Sequence, residues 1–253
     1  MYGPKVIAAR EALVCARFPQ FATGVPRYSI DESTDWTVGL MAAVDDDGRL
    51  IRALSEAEQT FIAATQLRVM FDYPYFAERF VWIDEEGHGL RRLYPLWESQ
   101  RFLLQVLATI EEERYFANYP DGLLINVLKA RQLGVSTLAE SLVAHRLLTR
   151  PHIRALAGAD VDDQAGYLFR MIDRLYQQLP WFLKPPRIYF TKNREMTFSN
   201  QSFLKTAWGK STRGALQSIT GQEGTKGAIG RGQTYSVIHI SELATWENPE
   251  QLD

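Results

Sequence analysis

The sequence predicts an α/β protein: a mainly parallel, doubly wound sheet flanked by helices, preceded by a mostly helical N-terminal appendage. Two observations carry that prediction. Almost continuous apolar runs at Leu123–Leu128, Ile153–Gly158 and Tyr235–Ile240 suit strands buried on both faces of a parallel sheet. Helical periodicity at Leu138–Leu148 and Asp160–Leu179 separates those runs, and strand–helix–strand alternation implies right-handed crossovers.

The elements follow in chain order. Residues 1–55 combine a short amphipathic start, Val6 to Phe18, with acidic, turn-rich sequence that the pattern does not place. Apolar residues then recur at helical spacing from Ser55 to Phe80, interrupted near Pro74. Phe80–Ile83 reads as a short strand ending in the turn Asp84–Gly87. Pro95 precedes a helix over about Glu98–Glu113, and short strands are expected near Ile188–Phe190 and Phe203–Ala207. The boundary between appendage (1–92) and core (93–253) falls after that first strand and turn.

Composition excludes several classes. Of 253 residues, 46% are hydrophobic and 23% charged, an ordinary globular balance able to bury a sizeable core. The single cysteine, Cys15, rules out an internal disulfide framework and suits a reducing compartment. No apolar run approaches the ~20 residues needed to cross a bilayer, and the N-terminus carries no basic-then-apolar signal. A soluble intracellular protein is expected. Net charge is −2, yet residues 184–231 hold nine basic side chains against two acidic ones, a local net charge of +7. Such polarity permits a phosphate-facing surface; on charge alone, a solvated loop region explains it as well.

The segment Lys129-Ala130-Arg131-Gln132-Leu133-Gly134-Val135-Ser136-Thr137 lies between an apolar run and a helix. That geometry holds polyphosphates, because a helix N-terminus offers unpaired N–H donors and partial positive charge. Gly134 lets backbone approach phosphate oxygens, and Ser136 stands where a hydroxyl ligates Mg²⁺. Against G-x-x-x-x-G-K-[ST] the match is partial: Val135 replaces the lysine and Lys129 the first glycine. A cation at Lys129 or Arg131 compensates if it reaches the phosphates from the front of the loop, since neutralisation depends on where the charge ends up. A plain strand–turn–helix junction that binds nothing is the alternative.

Hydrolysis of ATP also needs a carboxylate to orient or deprotonate water, usually at a neighbouring strand's end. Ser236–Val237–Ile238–His239–Ile240–Ser241–Glu242 supplies one in Glu242, with Ser241 where a metal-assisting Asp is usual. Alone, Glu242 is an unremarkable strand-end carboxylate; the two partial matches reinforce each other. Arg231, between Gly230 and Gly232, has the setting of an arginine finger acting on a neighbouring subunit, or of a mobile turn with an incidental Arg.

Together these segments resemble the ATPase domain of large terminase subunits, the DNA-packaging motors of tailed bacteriophages. Lys129–Thr137 is similar to that family's deviant Walker A loop, with its Arg-Gln pair and the lysine moved to the start. Val237–Glu242 with Leu243–Trp246 is similar to its Walker B segment, and Phe76–Val81 and Pro95–Gln100 resemble the region upstream. The resemblance spans roughly 70–250 and implies a P-loop NTPase fold of the ASCE type that hydrolyses ATP with Mg²⁺ to drive double-stranded DNA into a procapsid. It implies that Gln100 contacts adenine, that Lys129, Arg131, Gln132, Gly134, Val135, Ser136 and Thr137 hold the phosphates, and that Ser136 holds the metal. Glu242 becomes the catalytic carboxylate and Arg231 the trans-acting finger. The implied partners are the portal protein, the small terminase subunit and further copies in a ring, with a monomer in isolation, all in the host cytoplasm. The family's coupling motif and nuclease domain would fall beyond Asp253, so a fragment is expected.

Other chemistries find little support. His88, His145, His152 and His239 share no metal-ligand spacing with each other or with Cys15, and no nucleophile elbow is present. His239, inside an apolar strand, reads as a satisfied core residue. Trp181 and Phe182 read as plugs between helix and sheet, and Trp208 beside Lys205 and Lys210 as a weak base-stacking candidate. Two other functions fit the same residues: a nucleic-acid-stimulated helicase or translocase, and a degenerate non-hydrolysing assembly module, the latter kept open by Val135 and Ser241.

Overall fold

The computed structural model describes residues 2–85, 87–117, 124–128, 133–208 and 234–241. They belong to a mixed α/β protein with two compact units, Met1–Leu138 with Gln178–Leu183, and Ala139–Gln177 with Lys184–Asp253.

The first unit is helical. It contains α1 (Pro4–Arg17), α2 (Ile30–Met41), α3 (Glu56–Phe71), α4 (Tyr73–Phe80), a hairpin of β1 (Trp82–Glu85) and β2 (Gly89–Arg92), and α5 (Glu98–Phe116). Two helices start where serine precedes glutamate by three: Ser29 with Glu32 opens α2 and Ser55 with Glu58 opens α3, each a reciprocal capping box. Asp72 ends α3 and caps α4 by accepting from the Tyr75 N–H at 2.9 Å, which is why the periodic stretch breaks beside Pro74. Phe61 centres one apolar cluster, stacked on Trp36 at 5.4 Å and met edge-on by Phe182 at 5.9 Å. The Trp181 indole donates to the Leu40 carbonyl at 3.0 Å. Trp181 and Phe182 therefore complete a helical core and do not plug a helix–sheet junction as the sequence suggests.

The second unit is built on a five-stranded sheet. Helix α6 (Val135–Thr149), whose first turn belongs to the first unit, feeds β3 (Arg154–Ala159). Then follow α7 (Asp162–Gln178), β4 (Arg187–Thr191), β5 (Glu195–Phe198), β6 (Phe203–Trp208) and β7 (Val237–Ile240). Strand order is β4-β5-β6-β3-β7. β3 runs parallel to both β6 and β7, so residues Ala155 to Ala159 are buried from both sides. α7 presents Ala165, Leu168, Phe169, Ile172 and Leu175 as one buried stripe at helical spacing.

Two expectations are corrected here. The sheet is mixed: β4–β5 and β5–β6 are antiparallel. Antiparallel neighbours need only tight turns, supplied by Asn193 and Gln201 at positive φ (61° and 65°). The sequence reading passes over β5, although turn residues bracket it on both sides. The apolar run before the loop is no buried strand: residues 124–128 are irregular, with Leu124 84% and Leu128 fully exposed. A doubly buried strand needs neighbours for every backbone donor and acceptor, and among the described residues no strand pairs with this run.

Among the described residues no helix is long and apolar enough to cross a membrane.

Candidate functional site

The start of α6 is a sharp corner. Gly134 adopts φ +65°, in the left-handed region that favours glycine, and its carbonyl accepts from the Leu138 N–H at 3.1 Å to open the helix. The N–H groups of Val135, Ser136 and Thr137 fall in the first turn, where a helix supplies no acceptor of its own. Ser136 and Thr137 are half-buried, and Val135 is buried.

α5 holds this corner from behind. The buried Gln100 side chain accepts the Trp97 N–H on Oε1 at 3.0 Å and donates from Nε2 to the Gly134 carbonyl at 2.9 Å. Ser99 Oγ donates to the Leu133 carbonyl at 2.8 Å. A Cβ on Gly134 would lie 2.6 Å from Gln100 Nε2 and 3.0 Å from the Trp97 ring. The close approach that requires glycine here is thus to Trp97 and Gln100. The sequence marks both residues' neighbourhood without showing that they clamp the loop exit.

Lys129, Arg131, Gln132, Arg231 and Glu242 lie outside the described residues. The described end of the Glu242 segment is well fixed. Gly158 pairs with Ile240, and the Ser241 N–H donates to the Gly158 carbonyl at 2.8 Å. Two residues earlier, His239 Nδ1 lies 2.5 Å from Glu140 Oε1, joining β7 to α6. Glu140 is 1% exposed, and its Oε2 is buried with no hydrogen-bond partner among the described residues. His239 is indeed engaged, as its place in an apolar strand suggests. Glu140 escaped the sequence reading; its signal is an acidic residue inside the apolar stretch Leu138–Val143.

Among the described residues, Lys184, Arg187, Arg194 and Lys205 of the basic stretch are engaged within their own unit. Arg194 pairs with both carboxylate oxygens of Asp162, and its guanidinium lies 4.2 Å over the Trp208 ring. That hydrogen bond holds the Asp162 carboxyl below its usual range. Lys205 faces Glu195 at 3.7 Å, and burial draws Lys184 below the usual lysine value. One face of Trp208 is therefore covered by Arg194, which weakens its reading as a base-stacking platform.

The donor set suits a hard cation bound with a polyphosphate. Hydroxyls at Ser136 and Thr137 are oxygen ligands of the kind Mg²⁺ takes, one or two from protein and the rest from phosphate and water. Among the described residues no three His, Cys, Asp or Glu side chains cluster as a self-sufficient metal cage. No protein-family model matches the sequence, and no curated protein matches it.

Proposed function

We propose that the chain is a P-loop ATPase domain of the kind found in large terminase subunits, hydrolysing ATP to move double-stranded DNA into a procapsid. The single observation that supports this most is the Gly134 corner: a left-handed glycine followed at once by a helix whose first turn presents three N–H groups and the Ser136 and Thr137 hydroxyls. In this reading Lys129, Arg131 and Gln132 neutralise phosphate charge, and the first-turn amides of α6 cradle the phosphate oxygens. Ser136 ligates Mg²⁺, which when bound neutralises developing negative charge on the phosphates. Glu242, following Ser241 directly, orients or deprotonates the attacking water. Arg231 stabilises transition-state charge across a subunit interface, with the portal and small terminase subunit as partners of the assembled ring.

Gln100 acquires a double duty. Its Nε2 already binds the Gly134 carbonyl, so a contact to adenine competes with that bond and links base recognition to the loop exit.

Calorimetric titration with a non-hydrolysable ATP analogue, with Mg²⁺ present, tests the reading; micromolar to millimolar binding is expected, lost in Lys129→Ala. Wild-type protein that binds no analogue overturns it. Where turnover is measurable, Glu242→Ala should remove it by about 100-fold or more, while Glu242→Gln keeps nucleotide binding. Undiminished hydrolysis in Glu242→Ala would take that residue out of the mechanism.

A further inference from the structure

We propose that the outer face of α2 and the loop after it form a docking surface for a basic, amphipathic helix of a partner protein. That surface belongs to the helical unit alone and is independent of the nucleotide chemistry proposed above. The inner face of α2 is already used: Ser33 and Leu40 are buried, and Trp36 stacks on Phe61. The opposite face carries Asp31, Asp35, Val38 and Ala42 at helical spacing, all four exposed. Val38 is 66% exposed, and Met41 beside it 47%. Leu50 and Ile51 add two more apolar side chains, 51% and 64% exposed. Their backbone is pinned. Val44 bridges Leu50, and Asp45 Oδ1 accepts the N–H groups of Asp47 and Arg49 at 3.0 and 2.8 Å. The Ala43 carbonyl accepts the Ile51 N–H at 2.9 Å, which holds Ile51 about 5 Å from the residue that follows the end of α2 by two. Four large apolar side chains therefore gather at the carboxyl end of α2 on a backbone already ordered before any partner arrives.

Charge selects the occupant. Residues 30–52 hold six acidic side chains, Asp31, Glu32, Asp35, Asp45, Asp46 and Asp47, against Arg49 and Arg52, a local net charge of −4. All six acids are exposed. Arg52 is committed to Glu58, and Arg49 faces Asp47 at 3.6 Å. The acids flank the apolar group at both ends, Asp31 and Asp35 along the helix and Asp45 to Asp47 in the loop. An apolar centre within a charged rim is the pattern of a protein contact. A nucleic-acid strand or an anionic membrane meets like charge here and is repelled. A second copy docking this face on itself would set the acids against one another. A helix with leucine-like side chains along one stripe and lysine or arginine beside them satisfies both the centre and the rim.

The test titrates the full chain into two fluorescent helical peptides of about five turns, one of leucine and lysine, the other of leucine and glutamate in the same pattern. Anisotropy should show the leucine–lysine peptide binding and the leucine–glutamate peptide not. Val38→Ser with Ile51→Ser should weaken that binding by about 10- to 100-fold. Asp35→Asn with Asp46→Asn and Asp47→Asn should weaken it by about 3- to 10-fold and reduce its sensitivity to salt. Both variants should keep the wild-type thermal midpoint, because the altered side chains are exposed; if the apolar variant is destabilised, the charge variant decides alone. Equal binding of the two peptides, a wild-type protein that binds neither, or unchanged affinity in the deciding variant overturns the assignment. Sedimentation at rising concentration supplies the last arm: self-association abolished by Val38→Ser with Ile51→Ser would give the face to a second copy and overturn the basic partner.

Discussion

The two units of this chain hold themselves together by different means. In the helical unit the interior is knitted by arginines. Arg68, 5% exposed, donates to Asp72 at 3.1 Å, to Glu11 at 2.6 Å and to the carbonyls of Val25 and Pro26. Arg79, 7% exposed, donates twice to the Tyr28 carbonyl and lies 4.2 Å over the Tyr75 ring. Arg27 also pairs with Asp72, which is fully buried. The sheet unit instead has an apolar centre of small and branched side chains along β3, with buried polar groups such as Glu140, bonded to His239, and Ser202, bonded to the Arg150 carbonyl, set around it. Charge fixes geometry in the first unit and packing fixes it in the second, so the same kind of substitution should have different consequences in each.

The largest effect is expected where a buried charge loses its partners. Arg68→Ala strips Asp72 of one of its two cations and leaves the carbonyls of Val25 and Pro26 without their donor, at a cost of about 3–5 kcal/mol. Hydrogen exchange should show the loss of protection in α3 and α4, with β3 and β6 changed far less. A slightly smaller effect is expected from Leu156→Ala, which removes the β3 side chain packed in a cluster with Ala207 and Tyr235, at about 2–5 kcal/mol. Here protection should fall in β3, β6 and β7. Equal losses in both units from either variant would break the comparison, because it would mean that they open as one.

The contrast also explains what was legible in the sequence. The sheet unit gave up β3, β7, α6 and α7 readily, since Ala155–Ala159 and Val237–Ile240 are apolar runs and α7 carries a clean stripe. The helical unit hid its core, because Arg68 and Arg79 occupy positions that read as solvent-facing until Glu11 and the carbonyls of Val25, Pro26 and Tyr28, more than forty residues away in sequence, are known as partners. The run at 124–128 failed for a complementary reason: its apolar character was read correctly, but a strand exists only when neighbours pair with it, and no local pattern encodes that. At the candidate site, the glycine and hydroxyls at 134–137 were visible as a motif. Gln100 and Trp97 as a clamp, and Glu140 as the partner of His239, depend on contacts between distant segments.

Gly134→Ala probes the start of α6 at an intermediate cost. The left-handed φ penalises any Cβ, and this Cβ would displace the Gln100 amide from its bond to the Gly134 carbonyl. A loss of about 1–3 kcal/mol is expected, read as a lower thermal midpoint. If ATP analogue affinity falls with it, the clamp serves the loop; if stability falls and affinity holds, the glycine answers to packing alone.

The smallest effect should appear only in alkali, and only in the helical unit. Burial, reinforced by the carboxylates of Glu78 and Asp72, pushes the Tyr94 hydroxyl up to about 12 from its ordinary value near 10. With the folded value above the unfolded one, the native state binds the extra proton between those two pH values. Stability from this group is therefore complete below about pH 10 and is lost as pH rises toward 12. Tyr94→Phe, which cannot ionise, should flatten the fall of the thermal midpoint over that window without altering it at pH 8. A wild-type midpoint that falls equally in Tyr94→Phe would assign the alkaline sensitivity to other groups.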